Sequence, residues 1–256
     1  MSYARNPHSI LITGASSGIG AALAVAYAAP GVTLAPSGRN QARLDDISTQ
    51  CRESGAEVFA RVINVTDIAG MKSWIDEMDA QSPLDLVIAN AGISSGSARD
   101  SEEEAQTRSI FSVNLEGVLN TIWPAIDAMR PRKTGQLAIV ASIAGFRGLP
   151  GAPAYSASKA AVLNYGDALR GMLLVDGIHV SVICPGYVVS RMTDTNTFPM
   201  PFLMSADKAA GIIKRRLAKA KGRIVFPWPM LWLMRVLQAL PIALTDPFLS
   251  RLPKKN

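Results

Sequence analysis

The chain has 256 residues, of which 48% are hydrophobic and 18% charged, and Lys and Arg together outnumber Asp and Glu by 26 to 20. A chain of this length can bury a large core, so its composition excludes a small disulfide-rich protein and a disordered one. The cysteines (Cys51 and Cys184) and the histidines (His8 and His179) match no zinc-binding spacing, which predicts reduced, buried thiols and no metal site.

Apolar, branched segments alternate with longer segments of helical period from residue 9 to about residue 226. This alternation predicts one doubly wound α/β domain over residues 1–256, with a central parallel sheet of about seven strands flanked by helices. The predicted strands are Ser9–Thr13, Val32–Pro36, Glu57–Ile63, Asp85–Asn90, Gln136–Ser142, His179–Cys184 and Arg223–Val225. The predicted helices are Ala21–Ala29, Gln41–Glu53, Asp67–Asp79, Gln106–Met129, Ala154–Val175 and Ala206–Ala220.

The amino-terminal residues 1–9 lack the apolar core of a secretory signal, which predicts a cytoplasmic location. Further along, Pro36 lacks the N–H group that an interior strand needs for its hydrogen bonds. We therefore expect the second strand to end at Pro36.

A glycine-rich turn, Thr13–Gly20, follows the first predicted strand and precedes an Ala-rich helix. Gly14, Gly18 and Gly20 would permit a sharp turn, a close approach of a pyrophosphate, and close packing of the helix on the sheet. The spacing is GxxxGxG rather than the general dinucleotide pattern GxGxxG, so a plain strand-to-helix corner is the alternative. The position of the turn at the start of the alternation favours a phosphate site.

The segment Ser37-Gly38-Arg39-Asn40 lies about twenty residues further on, where NAD-binding proteins carry an acidic residue for the ribose 2′-hydroxyl. An Arg at this place would instead attract a 2′-phosphate. The segment therefore favours NADP over NAD. Arg43 is a neighbouring candidate for the same contact, and a solvent-exposed Arg39 is the alternative interpretation.

Four polar residues, Asn114, Ser142, Tyr155 and Lys159, form a second candidate site. Tyr155 and Lys159 are four residues apart in a predicted helix, so both project from one face. Ser142 ends a predicted strand, where ligands bind in open α/β sheets. A neighbouring ammonium favours the phenolate of a tyrosine, which makes Tyr155 a candidate proton donor. Tyr and Lys at this spacing are also common on exposed helix faces.

Together these motifs resemble the short-chain dehydrogenase/reductase family, from residue 9 to about residue 193. The resemblance rests on Thr13–Gly20, Asn90-Ala91-Gly92, Val113-Asn114-Leu115, Ser142, Tyr155-Ser156-Ala157-Ser158-Lys159 and Pro185-Gly186. It implies a Rossmann fold and a hydride transfer, with NADP, between a ketone and a secondary alcohol.

The resemblance also implies roles for the four polar residues. Tyr155 would be the general acid in ketone reduction, and Ser142 would hydrogen-bond the substrate oxygen. Lys159 would hold the nicotinamide ribose and lower the pKa of Tyr155. Asn114 would help to position a water that links Lys159 to solvent.

Cofactor contacts follow from the resemblance in the same way. Pro185, Gly186 and Val188 would border the nicotinamide. Two residues depart from the family's usual pattern: Asn64 replaces an Asp that meets the adenine, and Ser190 replaces a Thr. The expected cofactor-binding residues are Gly14, Ser16, Ser17, Gly18, Ile19, Gly20, Arg39, Asn40, Asn64, Val65, Asn90, Ala91, Gly92, Tyr155, Lys159, Pro185, Gly186, Val188 and Ser190.

Residues 187–204 correspond to the family's mobile substrate lid. This segment contains Met192, Phe198, Met200, Phe202 and Met204. Flexible Met side chains and aromatic rings suit an apolar ligand of irregular shape. We therefore predict a hydrophobic carbonyl substrate, such as an acyl-chain or steroid-like ketone. Packing of these side chains against the body or a partner subunit is the alternative.

The apolar C-terminal segment, about residues 224–250, is not typical of the family. It contains Trp228 and Trp232 and follows a basic cluster at residues 214–223. Such a segment can form an oligomer contact or a pocket wall, which we favour, or lie peripherally on a membrane. Arg235 and three prolines interrupt its best candidate span, residues 224–245, so we do not expect it to cross a bilayer. No nucleic-acid-binding motif accompanies the charge.

These observations predict a cytoplasmic, NADP-dependent carbonyl reductase for an apolar or lipid-like substrate, active as a homodimer or homotetramer. A non-catalytic dinucleotide-binding regulatory or scaffold protein is the alternative, and the complete set of four polar residues argues against it. A sugar-nucleotide epimerase is less favoured, because such enzymes usually carry an extra substrate domain.

Overall fold

Parallel strands form one sheet in this computed structural model, which describes residues 6–94, 102–194, 196 and 198–250. The strands are β1 Ser9–Thr13, β2 Thr33–Gly38, β3 Glu57–Val58, β4 Arg61–Val62, β5 Leu86–Ala89, β6 Gly135–Val140, β7 Ile178–Pro185 and β8 Arg223–Phe226. Their order is β3-β2-β1-β5-β6-β7-β8, and β4 also pairs with β2. The described chain therefore confirms the predicted doubly wound α/β fold with seven strand positions.

Helices cover both faces of the sheet. They are α1 Gly18–Tyr27, α2 Gln41–Glu53, α3 Ile68–Gln81, α4 Glu104–Phe111, α5 Gly117–Met129, α6 Pro153–Met172, α7 Arg191–Asp194, α8 Ala206–Leu217, α9 Trp228–Ala239 and α10 Ile242–Leu249. Apolar residues of α3, α5 and α6 pack on one face, and those of α1, α2 and α8 pack on the other. Because both faces are covered, every residue of β1, β5 and β6 is buried.

Pro36 does not end the second strand, contrary to the prediction, because β2 continues to Gly38. The carbonyls of Leu34 and Gly38 accept hydrogen bonds from the outer neighbour, from the N–H groups of Phe59 and Ile63. Backbone groups alternate in direction along a strand, so those of Pro36 point to the same side of β2 as those of Leu34 and Gly38. The outer neighbour is interrupted there, between β3 and β4. The missing N–H of Pro36 therefore faces a gap, and this break divides the single strand that the sequence predicts.

The long helix predicted over Gln106–Met129 contains a local change of winding. A five-residue π-helical turn, Ser112–Glu116, separates α4 from α5 and carries Asn114 at its centre. Such turns insert an extra residue and re-aim the side chains around it, and they are frequent at functional sites. Here the turn leaves Asn114 fully buried.

Candidate active site

The glycine-rich turn between β1 and α1 lies at the carboxyl edge of the sheet and has the geometry of a cofactor cradle. Gly14 and Gly18 have positive φ angles of 67° and 56°, which favour glycine. A Cβ on Gly20 would lie 2.5 Å from Asn90 Nδ2 and closer still to the Gly14 oxygen. The conformation of the turn and its close contacts therefore favour glycine at these places.

Thr13 and Asn90 fix the inner side of this turn. The Asn90 amide donates to the carbonyl oxygens of Thr13 and Gly14, at 3.0 and 3.2 Å. The Thr13 hydroxyl accepts from the N–H groups of Asn90 and Ala91, at 3.1 and 3.2 Å. Asn90 thus joins the glycine turn to the end of β5.

A cavity of about 930 Å³, called the main cavity below, extends from the glycine turn along the carboxyl edge of the sheet. Most of the predicted site residues line it. They are Gly14, Ser16, Ser17, Gly18, Ile19, Arg39, Asn64, Val65, Asn90, Ala91, Gly92, Ser142, Tyr155, Lys159, Pro185, Gly186, Val188 and Ser190. Gly20, Asn40 and Asn114 are not among its lining residues. The structure therefore brings together both sets of residues that the sequence singled out.

Ser142 and Tyr155 meet on one wall of the main cavity. The Ser142 hydroxyl lies beside the Tyr155 phenol and accepts from the N–H of Ala144 at 3.1 Å. Burial raises the pKa of Tyr155, the Ser142 hydroxyl opposes this rise, and Tyr187 adds to it. The structure therefore holds the phenol in its protonated form.

Lys159 is buried beside Tyr155, one helical turn further along α6. Its ammonium lies 5.9 Å from the centroid of the Tyr155 ring and donates to the carbonyl of Val140 at 2.9 Å. Burial lowers the pKa of Lys159 from 10.5 to about 8, because the charged form is poorly solvated there. Lys159 can therefore gain and lose a proton near neutral pH.

Asn114 lies behind the cavity wall and holds its parts together. Its side-chain oxygen accepts from the Ile93 N–H at 2.8 Å. Its amide donates to the Ile93 carbonyl at 2.9 Å and to the Ser158 hydroxyl at 3.1 Å. A Cβ on Gly92 would lie 3.2 Å from Asn114 Oδ1 and 3.3 Å from Lys159 Nζ. Asn114 thus connects the π turn, the loop after β5, and α6.

Two arginines line the opposite end of the main cavity, Arg39 after β2 and Arg43 in the first turn of α2. Arg39 is exposed and Arg43 is half-buried. Asn40 caps α2, since its side chain accepts from the Arg43 N–H at 3.0 Å. Within the described residues, Arg43 Nε and Ser37 Oγ are buried and have no hydrogen-bond partner. Asn40 therefore fixes the start of α2 and does not itself line the cavity. The structure makes Arg43 as strong a candidate as Arg39 for contact with a 2′-phosphate.

The predicted lid covers the third side of the main cavity. Its start is fixed by two backbone hydrogen bonds, from the Met204 N–H to the Tyr187 carbonyl and from the Val189 N–H to the Met204 carbonyl, at 3.2 and 2.9 Å. The rings of Tyr187 and Phe198 meet edge-on, with centroids 6.2 Å apart. Met192 and Phe198 line the cavity, whereas Phe202 is exposed. Part of the predicted lid therefore faces the main cavity.

The C-terminal segment supplies an apolar wall of the main cavity. Met230, Leu233, Met234 and Leu237 of α9 line the cavity, and so does Leu249 of α10. The sequence predicted this wall only as one of several roles for the segment. Among the helices described, none combines the length and the apolar character that crossing a bilayer requires. Within the described part of the chain, no cluster of three His, Cys, Asp or Glu side chains is placed to hold a metal ion.

The sequence analysis did not identify Glu102 as part of this region. Its carboxylate accepts from the N–H of Ala154 at 2.6 Å, at the start of α6, and so caps the helix that carries Tyr155. These two residues are 52 apart in sequence. No local pattern signals such a contact.

Known proteins with similar sequences and structures belong to the family that these motifs indicate. A family model described as short chain dehydrogenase matches residues 8–199. The chain is 36% identical over 243 residues to an uncharacterized oxidoreductase of Myxococcus xanthus, covering 94% of this chain and 96% of that protein. It is 32% identical over 188 residues to a 3-oxoacyl-[acyl-carrier-protein] reductase of Staphylococcus aureus, covering 73% and 76%. A solved structure from Beutenbergia cavernae with bound NADP is 25% identical and has a TM-score of 0.75, covering 85% of this chain and 94% of that one.

Proposed function

This chain belongs to the short-chain dehydrogenase family of oxidoreductases, and we propose that it is an NADPH-dependent reductase of apolar ketones. One observation carries the proposal. Ser142, Tyr155 and Lys159 share a wall of a cavity whose other end is the glycine cradle after β1. A non-catalytic scaffold would not require these three side chains in the same cavity as the glycine cradle.

The described residues fit a nicotinamide dinucleotide. Gly14 and Gly18 of the glycine turn line the main cavity, and Ser16, Ser17 and Ile19 line it beside them. Backbone N–H groups at the start of α1 would face the pyrophosphate. When bound, the reduced nicotinamide supplies the hydride that the substrate's carbonyl carbon receives.

Three side chains would carry out the rest of the reaction. The Ser142 hydroxyl donates a hydrogen bond to the substrate oxygen and orients it toward Tyr155. The raised pKa of Tyr155 keeps its phenol protonated at neutral pH, so Tyr155 gives its proton to that oxygen. Lys159, with a pKa of about 8, then helps to return a proton to Tyr155. Asn114 acts through Ile93 and Ser158, as a positioning residue.

The proposed preference for NADP over NAD rests on Arg39 and Arg43. Arg43 Nε is a buried N–H donor without a partner in the described structure, and it borders the cavity next to the exposed Arg39. A 2′-phosphate would give this donor a charged acceptor.

The cofactor preference is measured by comparing the dissociation constants for NADPH and NADH. Arg43→Gln would raise the Kd for NADPH by about 10- to 100-fold, because it removes a charge-assisted hydrogen bond worth about 1.5–3 kcal/mol. The Kd for NADH would stay within about twofold. Arg52→Gln is the control, because Arg52 lies on the same helix and donates to the Val58 carbonyl outside the cavity. Tighter binding of NADH than of NADPH by the unchanged protein would overturn the preference.

An apolar substrate is supported by the walls that surround Tyr155. The side chains of α9 and α10 that face the cavity are Met or Leu, and the lid adds Phe198. The related reductase of Staphylococcus aureus is named for 3-oxoacyl groups, which are ketones on an acyl chain. NADPH oxidation with sugar, short-chain and lipophilic ketones tests this proposal. The largest kcat/KM is expected for a lipophilic ketone, and a preference for sugars would refute it.

A homodimer or homotetramer in the cytoplasm, with small-molecule carbonyl or alcohol substrates as its other partners, completes the proposal. The outer side of α9 exposes Trp228 and Trp232 by 71% and 60%, which favours burial against a second copy. Peripheral contact with a membrane is the alternative occupant of this surface. Sedimentation of the protein with and without Trp228→Ser and Trp232→Ser, together with liposome flotation, separates the two. Flotation that depends on these Trp residues would favour the membrane.

A further inference from the structure

A second cleft, of about 460 Å³, lies directly behind the substrate end of the main cavity. It is bounded by the loop of residues 147–150, by the outer side of α6 and by α10. We call it the tail cleft. None of the residues assigned above to the cofactor or to proton transfer lines it.

Three residues line both the main cavity and the tail cleft: Leu149, Pro150 and Leu249. Leu249 belongs to α10 and is buried, and Leu149 is half-buried. The Leu149 N–H donates to the Ser156 hydroxyl at 3.2 Å, which anchors the loop to α6. Within the described residues, these three apolar side chains therefore form a shared boundary between the main cavity and the tail cleft.

The surfaces of the tail cleft suit an alkyl chain. Along α6 it is lined by the small side chains of Ala157 and Ala160, and Gly148 adds no side chain. Ile242 of α10, which is 62% exposed, faces it from the other side. These surfaces offer methylene groups burial. The polar side chains that line the cleft are Arg147, Ser156 and Asp246.

One ion pair holds the two sides of the tail cleft together. Arg147 donates to the Asp246 carboxylate at 3.2 Å and to the Thr245 hydroxyl at 3.0 Å. Gln238 of α9 also donates to the Phe146 carbonyl, four residues after Ser142. The C-terminal helices are therefore fixed to the loop that follows Ser142, so the cleft and the proton-donating residues keep one relative position.

We propose that the tail cleft receives the distal part of a long alkyl chain whose carbonyl lies at Tyr155. The alkyl chain of the substrate passes between Leu149 and Leu249 as it runs from the main cavity into the tail cleft. The substrate class is then a ketone with an alkyl tail longer than the main cavity holds. This inference rests on the proposed carbonyl reductase function.

The test compares 2-hexanone with 2-dodecanone as substrates of NADPH-dependent reduction. Ala157→Leu fills the tail cleft from the exposed side of α6, and residue 157 lies on the opposite side of the helix from Tyr155. Loss of burial for two methylene groups, at about 0.8 kcal/mol each, lowers kcat/KM about tenfold. That loss is expected for 2-dodecanone, whereas kcat/KM for 2-hexanone stays within about twofold.

Two matched variants distinguish filling of the tail cleft from a general folding defect. Ala168→Leu places the same side chain at another exposed position of α6, outside both cavities, and should change neither substrate. Gly148→Leu fills the tail cleft from the loop, where a Cβ would meet no atom within 4 Å. It should reproduce the chain-length effect of Ala157→Leu.

The possible outcomes distinguish a failure of the tail-cleft proposal from a failure of the reductase function on which that proposal rests. If neither ketone is reduced by the unchanged protein, the proposed reductase function fails. If both are reduced but Ala157→Leu and Gly148→Leu affect them equally, the reductase function stands and the tail cleft is refuted.

Discussion

Replacing Asn114 with Ala tests how the candidate site is held together. The change removes three hydrogen bonds of a fully buried side chain, two to the backbone of Ile93 and one to Ser158. It leaves the N–H and the carbonyl of Ile93 without these partners, at about 1–3 kcal/mol for each. Because Ile93 is half-buried, water offsets part of this loss, and we expect the free energy of unfolding to fall by about 2–4 kcal/mol.

Urea denaturation followed by tryptophan fluorescence measures this loss against two matched controls. Asn120 is half-buried and donates one bond to the Val65 carbonyl at 2.9 Å, so Asn120→Ala should cost about 1 kcal/mol. Asn164 is exposed and donates one bond within α6, so Asn164→Ala should cost less than about 0.5 kcal/mol. If Asn114→Ala costs no more than Asn120→Ala, the argument from its buried hydrogen bonds is wrong.

Three further predictions follow from the same region. Gly20→Ala would force a Cβ against the Gly14 oxygen, so we expect a loss of about 1–3 kcal/mol in the free energy of unfolding and weaker NADPH binding; an unchanged Kd would contradict this. Burial lowers the pKa of Lys159 from 10.5 to about 8, so its charged form destabilises the folded state at pH 7. Lys159→Met should therefore be more stable than wild type at pH 7, and this advantage should shrink as pH rises from about 8 to 10.5; a constant difference would count against the assignment. Glu102→Gln, which keeps an oxygen acceptor for the Ala154 N–H, should retain more of kcat than Glu102→Ala, and equal losses in the two variants would exclude the capping role.

The order of strands and helices could be predicted because each buried strand is apolar and each helix keeps its own period. The glycine turn and the Tyr155–Lys159 pair were likewise visible, since their chemistry depends on residue types at short spacing. Ser142 was placed by a strand end, and the structure brings it into contact with Tyr155.

The features that the sequence did not predict depend on contacts between distant segments. Pro36 is tolerated inside β2 because the outer strand is interrupted beside it. The π turn at residues 112–116 buries Asn114, whose partners lie on two other segments. Each of these depends on tertiary packing, which local periodicity does not encode.

Reduction of 2-dodecanone by NADPH with Tyr155→Phe tests the central claim most directly. The change removes the phenolic proton and keeps the aromatic ring. A lost general acid is expected to lower kcat by about 10²–10⁴-fold. The Kd for NADPH should stay within about twofold, because the glycine cradle is untouched. Turnover by Tyr155→Phe at the wild-type rate would contradict the assignment of Tyr155 as the proton donor.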